Sequence, residues 1–240
     1  MIFGAMMAGG IGSRMGASDL PKQFWQLGDK PVMMHSVEQM LLCSRLDRVY
    51  IGVPLDWIDY THDLLEKHFA DLDKLEVVPG GSTRNDTLFN VIAEIQRCHG
   101  DSAEHIIVTH DAVRPFVTGR MIEENIDAAV LYGACNTVVP AADTIVQSID
   151  GEVIASIPDR GQLYQGQTPQ SFHVNLLVRL YQGLSAEQKE KLTDACSICV
   201  LAGYPVHLVM GDAANFKITT PGDYKIACAM AGEQGLCRNA

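Results

Sequence analysis

The chain has 240 residues, 47% hydrophobic and 20% charged, which suffices for a buried core without disulfide support and is not the composition of a disordered protein. A net charge of −11 excludes the dense basic face that neutralises nucleic-acid or anionic-membrane phosphates, although a few of the 18 Lys and Arg residues could converge on a small phosphorylated ligand. The opening Met1-Ile2-Phe3-Gly4-Ala5-Met6-Met7 has no basic leader, and no apolar run is long enough for a bilayer, so a cytoplasmic protein without membrane insertion is expected.

Near-continuous apolar runs at residues 2–7, 48–53, 75–78 and 106–109 predict strands buried on both faces. Between them, residues 33–42, 58–69, 87–95 and 121–130 carry apolar side chains at helical spacing. This alternation predicts an α/β, Rossmann-like fold with a mostly parallel sheet, whose ligands sit at the carboxyl ends of the strands. Residues 137–139, 144–146 and 153–154 read as further strands, and Asp150-Gly151 as a hairpin turn. The expected organisation is a single domain over 1–240 with a β-arm over about 137–158 that projects as a dimerisation element. Seven cysteines without regular spacing suit a reducing compartment. Cys196 and Cys199 have a metal-like spacing but no second pair, and read as buried thiols.

Ala8-Gly9-Gly10-Ile11-Gly12-Ser13-Arg14-Met15-Gly16 follows the first strand directly. Glycines there let backbone N–H groups approach phosphates. A dinucleotide fingerprint starting at Gly10 would need Gly or Ala where Met15 stands, which disfavours an NAD-dependent dehydrogenase. A Walker loop is excluded because the first lysine, Lys22, lies between Pro21 and Gln23. Arg14 or Lys22 alone would read as a solvated surface charge. Together, around a glycine turn, they could clamp a triphosphate.

The run from Met7-Ala8-Gly9-Gly10 through Arg14-Met15-Gly16 to Pro21-Lys22-Gln23-Phe24 resembles the signature of nucleotidyltransferases acting on sugar or polyol phosphates. It is most similar to the cytidylyltransferases of the methylerythritol-phosphate and ribitol-phosphate type. Four later segments extend the likeness in the same order. The first, residues 80–87, suits a turn that reads a ligand with backbone groups and then caps a helix. His110-Asp111-Ala112-Val113-Arg114-Pro115 places an acid at a strand end, and Arg114 could either touch ligand or pair with Asp111. The third, residues 158–172, is so polar that it reads as a site lining, with an ordinary loop as the alternative. The last runs from Asn215 to Asp223. Thr193-Asp194-Ala195 also resembles a family segment, without an assigned role.

The resemblance implies that Met7, Ala8, Gly9, Gly10, Gly12, Gly80, Gly81, Ser82, Arg84, Thr87 and Ala112 hold CTP. It further implies that Asp111, Arg114, Thr144, Arg160, Thr168 and Lys217 bind the acceptor, partly across a homodimer, with Asp111 beside Mg²⁺. Arg14, Lys22, Arg160 and Lys217 would be the catalytic cations. The implied reaction is attack of a phosphate monoester on the α-phosphorus of CTP. That nucleophile is already anionic, so positioning and charge stabilisation suffice without a general base. Val113, the absence of a lysine in Asp143-Thr144-Ile145-Val146, and the run from Tyr164 to Phe172 look more like the ribitol-phosphate group. The expected product is therefore CDP-ribitol for teichoic-acid or capsule synthesis, with 2-C-methyl-D-erythritol 4-phosphate as the alternative acceptor. A non-catalytic nucleotide-binding protein on the same fold is the reading of a different class, disfavoured by Arg14, Lys22, Asp111 and Lys217 standing together.

Overall fold

A computed structural model describes residues 1–10 and 20–232. Seven strands form one sheet: β1 (Ile2–Met7), β4 (Arg48–Val53), β5 (Leu75–Pro79), β6 (Ile106–Asp111), β7 (Ala134–Pro140), β8 (Tyr164–His173) and β9 (His207–Met210). A separate two-stranded ribbon comprises β2 (Gln26–Leu27) and β3 (Lys30–Pro31). The helices are α1 (Val32–Leu42), α2 (Ile58–His68), α3 (Arg84–His99), α4 (Gly119–Tyr132), α5 (Val174–Gly183), α6 (Ala186–Glu190), α7 (Ala195–Leu201) and α8 (Pro221–Met230). Among the described residues, no helix is long and apolar enough to cross a membrane.

The sheet order is β5-β4-β1-β6-β8-β7-β9, and β8 alone runs against the other six strands. Period-two alternation divides the core between the faces. Met6, Ile51, Val108 and Cys135 face α1, α2 and α4, whereas Phe3, Ala5, Ile107 and Phe172 face α3, α5 and α7. The expected α/β fold with a mostly parallel sheet is what forms.

Helix starts follow from local chemistry. Thr83 and Asp86 close a capping box at α3, so that helix begins at Arg84, three residues before its apolar pattern. Thr220 and Asp223 do the same for α8, with Pro221 in the first turn. Asp194 caps α7 and accepts a bond from Gln170 of β8 at 2.6 Å, which gives the Thr193-Asp194-Ala195 segment an anchoring task. Cys196 and Cys199 are buried on α7.

Two expectations need correction. The polar run at 164–172 is neither a loop nor merely a lining: it is β8, inside the sheet, with Gln167, Thr168, Gln170 and Ser171 buried. Its polar groups are accommodated through hydrogen bonds to neighbouring elements, as when the Gln170 amide donates to the half-buried Asn136 and Asp194. Residues 144–146 and 153–154 do not form ladder strands; a single bridge joins Gln147 to Ser156. The turn does form, with Gly151 at φ 81° and the Asp150 carboxylate accepting from Glu152 and Val153 amides. An isolated two-stranded ribbon has too little to bury, and here Ile149 is 90% exposed and Val153 66%. Residues 137–140, expected in the arm, belong to β7 in the main sheet.

Candidate active site

The strand order reverses at β1, with β4 on one side and β6 on the other, and ligands of open α/β sheets bind outside the carboxyl ends at such a point. Met7 and Asp111, the last residues of β1 and β6, pair directly there. They open onto a cavity of about 290 Å³ that Gly9, Gly10, Lys22, Gln23, Ser82, Thr83, Arg84, Thr87, Ala112, Val113 and Lys217 complete.

Close packing explains two of the glycines. A Cβ on Gly9 would stand 2.7 Å from Thr87 Oγ1, and one on Gly81 would overlap Asp86 at the start of α3. The Thr87 hydroxyl accepts from the Gly81 amide at 3.0 Å and donates to the Thr83 carbonyl at 3.1 Å, tying the 80–87 turn to its helix. Lys22 stands on a single 3₁₀ turn, Lys22–Phe24. Its neighbour Gln23 is buried and donates to the carbonyls of Ala8 (2.8 Å) and Gly10 (3.1 Å). That amide fastens the lysine's turn to the end of β1.

Asp111 is the electrostatic centre. Its Oδ1 lies 3.0 Å from Arg84 Nε, and its Oδ2 lies 3.0 Å from Lys217 Nζ and 3.6 Å from Arg114 Nε. Burial pushes the carboxyl upward, but the Arg84, Lys217 and Arg114 charges overcome this and hold it well below the usual carboxylate range. Burial in turn lowers the Arg114 guanidinium, against the pull of Asp111. Arg114 thus makes the ion pair that was one of its two sequence readings. Among the described residues, Arg84 Nη1 and Nη2 are buried without a hydrogen-bond partner, donors that suit an anionic ligand.

Lys217 also lines a second cavity of about 600 Å³, with Arg114, Gln165, Gln167, Asp212 and Phe216. The Arg160 guanidinium is exposed and donates at 3.0 Å to the carbonyl of Ala142, which lines the same cavity. Thr144 is exposed on the 141–159 segment. Thr168 is buried, its hydroxyl accepting from the Asp111 amide at 3.1 Å and lying 2.9 Å from His110 Nδ1.

The structure therefore brings together Met7, Gly9, Gly10, Lys22, Ser82, Arg84, Thr87, Asp111, Ala112 and Lys217 around the first cavity. It leaves Ala8, Gly80 and Gly81 behind that lining as backbone supports and places Arg114 in the second cavity. Thr144 and Arg160 lie outside the first cavity, on the exposed segment and the turn after it. Gly12 and Arg14 fall outside the described residues. Gln23, His110 and Asn215 were not singled out from sequence. All three are buried, and their one signal was a polar side chain flanking a motif cation or acid.

No group of three His, Cys, Asp or Glu side chains converges to hold a metal among the described residues. Among those residues, Asp111 is the one carboxylate lining the first cavity. That fits Mg²⁺ carried by a triphosphate, since the ion commonly takes one or two carboxylates and fills its other positions with water and substrate phosphates.

A family model described as 2-C-methyl-D-erythritol 4-phosphate cytidylyltransferase matches residues 2–233. Among solved structures, 4-diphosphocytidyl-2C-methyl-D-erythritol synthase from Anaerococcus prevotii is 25% identical, with a TM-score of 0.80 over 97% of this chain and 96% of that one. The 2-C-methyl-D-erythritol 4-phosphate cytidylyltransferase from Thermus thermophilus shares the fold at 24% identity and a TM-score of 0.72, over 96% and 98% of the two chains.

Proposed function

Since the chain belongs to the 2-C-methyl-D-erythritol 4-phosphate cytidylyltransferase family, we propose that it transfers CMP from CTP to 2-C-methyl-D-erythritol 4-phosphate and releases pyrophosphate. It is a nucleotidyltransferase of the cytidylyltransferase type, with CTP as co-substrate and a divalent cation as helper. One observation carries the assignment of parts: two adjoining cavities share Lys217, and the cations around Asp111 stand between them.

In this reading the nucleotide occupies the first cavity. Gly9 and Gly10 leave room for its phosphates, and the 80–87 turn faces its base and ribose. Lys22, together with Arg14, stabilises charge developing on the α-phosphate and departing pyrophosphate. The divalent cation neutralises triphosphate charge when bound, with Asp111 as its protein ligand. Lys217 and Arg114 hold the acceptor's phosphate monoester from the second cavity, in line with the α-phosphorus. The monoester attacks as an anion, so no side chain has to take a proton from it. Arg160 and Thr144 reach an acceptor through the 141–159 segment, whose aliphatic residues Ile149, Val153, Ile154 and Ile157 are exposed and suit a second copy of this chain. Sedimentation of the wild type against an Ile149→Ser, Val153→Ser variant tests that assembly: both sedimenting as monomers would remove the arm's task.

The ribitol 5-phosphate expectation becomes the second reading. Val113, one of its supports, packs against Ile218 and Tyr224 and lines the first cavity, where the nucleotide is placed, and does not line the second, where the acceptor is placed. The run from Tyr164 to Phe172 remains in its favour. Pyrophosphate release with CTP and Mg²⁺, comparing the two acceptors in parallel, decides: release with 2-C-methyl-D-erythritol 4-phosphate alone supports the first reading, release with ribitol 5-phosphate alone reverses the order, and silence with both removes both.

A further inference from the structure

We propose that His110 is a positioning residue for cytidylyl transfer: its buried imidazole clasps both ends of the turn from Asp111 to Arg114 and so sets where the carboxylate and guanidinium stand between the two cavities. This rests on the roles assigned to Asp111 and Arg114 above.

Counting protons fixes the arrangement. The Asp111 amide donates to Thr168 Oγ1 at 3.1 Å, so the single hydroxyl proton of Thr168 is available for His110 Nδ1 at 2.9 Å. The imidazole proton then sits on Nε2 and goes to the Arg114 carbonyl at 3.0 Å. One ring thus holds the Asp111 end through Thr168 and the Arg114 end directly. The Arg114 amide closes the turn on the Asp111 carbonyl at 3.1 Å, and Ser36 of α1 adds a second donor to the Arg114 carbonyl.

The same network reaches the charged groups. Arg114 Nη1 donates to the Asn215 carbonyl at 2.8 Å, and Asn215 Nδ2 donates to the Thr168 carbonyl at 2.8 Å. Two residues beyond Asn215, Lys217 meets Asp111. His110, Ser36 and Asn215 are completely buried. A histidine that merely filled core space would need partners for its two nitrogens anywhere. Here Nε2 binds the Arg114 carbonyl and Nδ1 binds the Thr168 hydroxyl that receives the Asp111 amide.

The test separates the two nitrogens. Asparagine retains a group near Nδ1 and glutamine one near Nε2, whereas phenylalanine fills the space and serves neither end. Steady-state kinetics with CTP and each acceptor should show His110→Phe lowering kcat by about 10- to 100-fold, the range a misplacement near 1 Å produces. His110→Asn and His110→Gln should recover part of that loss. KM for CTP should change less than kcat, because Gln23 and Thr87 still hold the glycine turns of the first cavity. If His110→Phe does not fold, Thr168→Val against Thr168→Ser repeats the comparison through the hydroxyl, and Ser should retain what Val loses. ¹⁵N NMR of the wild type should show a neutral imidazole protonated at Nε2.

Folded variants with lower melting temperatures but unchanged kcat and acceptor KM would reduce His110 to a core filler. A ring protonated at Nδ1 would overturn the clasp directly. If the wild type itself turns over neither acceptor, the acceptor reading falls and the role in turnover falls with it, while the NMR result still decides the clasp.

Discussion

Replacing Asp111 by asparagine removes one negative charge from among three cations and changes the shape of the side chain very little. At an effective dielectric near 20, a unit charge about 4 Å away contributes ~4 kcal/mol of gross attraction, much of it offset by desolvation. Breaking a buried ion pair by removing one partner typically costs about 3–5 kcal/mol, because the remaining charge is left uncompensated. Arg114 is buried and Arg84 largely so, while Lys217 can turn toward water, so the lower end, about 3 kcal/mol, is expected. For a domain of this size that lowers the melting temperature by about 6–12 °C. A bound triphosphate would restore negative charge to the same cations, so CTP without the divalent cation that Asp111 would hold should raise the melting temperature of Asp111→Asn more than that of wild type. Differential scanning calorimetry with and without nucleotide measures both. A variant melting within about 2 °C of wild type, or gaining no more from CTP, would refute the view of Asp111 as an electrostatic keystone.

Lys22→Ala should lower kcat by roughly 10²–10³-fold in the pyrophosphate-release assay, the loss seen when one preorganised donor to developing charge is removed. A loss below about threefold in a variant with an unchanged circular dichroism spectrum would take Lys22 out of that role. Arg160→Ala should raise KM for the acceptor and leave CTP affinity alone; an equal loss of CTP affinity by calorimetry would contradict the division between the two cavities. Burial pushes the His110 imidazole down to about 4, against about 6.5 in an unfolded chain, so the unfolded state takes up the proton first as the pH falls. Its contribution, at most about 3 kcal/mol, is fully present above pH ~6.5 and lost progressively toward pH ~4. Asp111, held low, adds stability that is lost only at still more acid pH, below the unfolded carboxylate value near 3.9. Urea midpoints across this range should fall with pH in the wild type and less steeply in His110→Asn. Parallel slopes would dismiss the assignment.

Strands β1, β4 and β6 were legible because burial on both faces demands continuous apolar runs, as at Ile2–Met7 and Arg48–Val53, whereas β5 forms at the sheet edge with a single buried residue, Val78. The cavity's glycines, Lys22 and Asp111 were legible because they follow such strands directly, where a sheet of this kind receives its ligand. Strand β8 escaped because four of its buried residues are Gln167, Thr168, Gln170 and Ser171, whose fit depends on partners such as Asn136, Asp194 and Asn215 that are distant in the chain. Gln23 and His110 were opaque for the same reason: each does its work through carbonyls, Ala8 and Gly10 or Arg114, and a carbonyl leaves no mark in the sequence. The strands read at 144–146 and 153–154 differ in the opposite sense: their alternating pattern is that of a strand, yet the one bridge from Gln147 to Ser156 is all the pairing they find among the described residues.

The small cluster of Trp25, Leu27, Val32, Val113, Ile218 and Tyr224 joins the turn that carries Lys22 to the helix that follows Lys217. The Tyr224 hydroxyl donates to the carbonyl of Gln26, a contact spanning 198 positions of sequence. On a ribosome adding about 5–20 residues per second, the sheet through β8 can assemble well before this last packing unit emerges. The two lysines are therefore brought to a common site only once residues 218–224 have been made, and a nascent chain stalled before Lys217 would lack the lysine that its two cavities share.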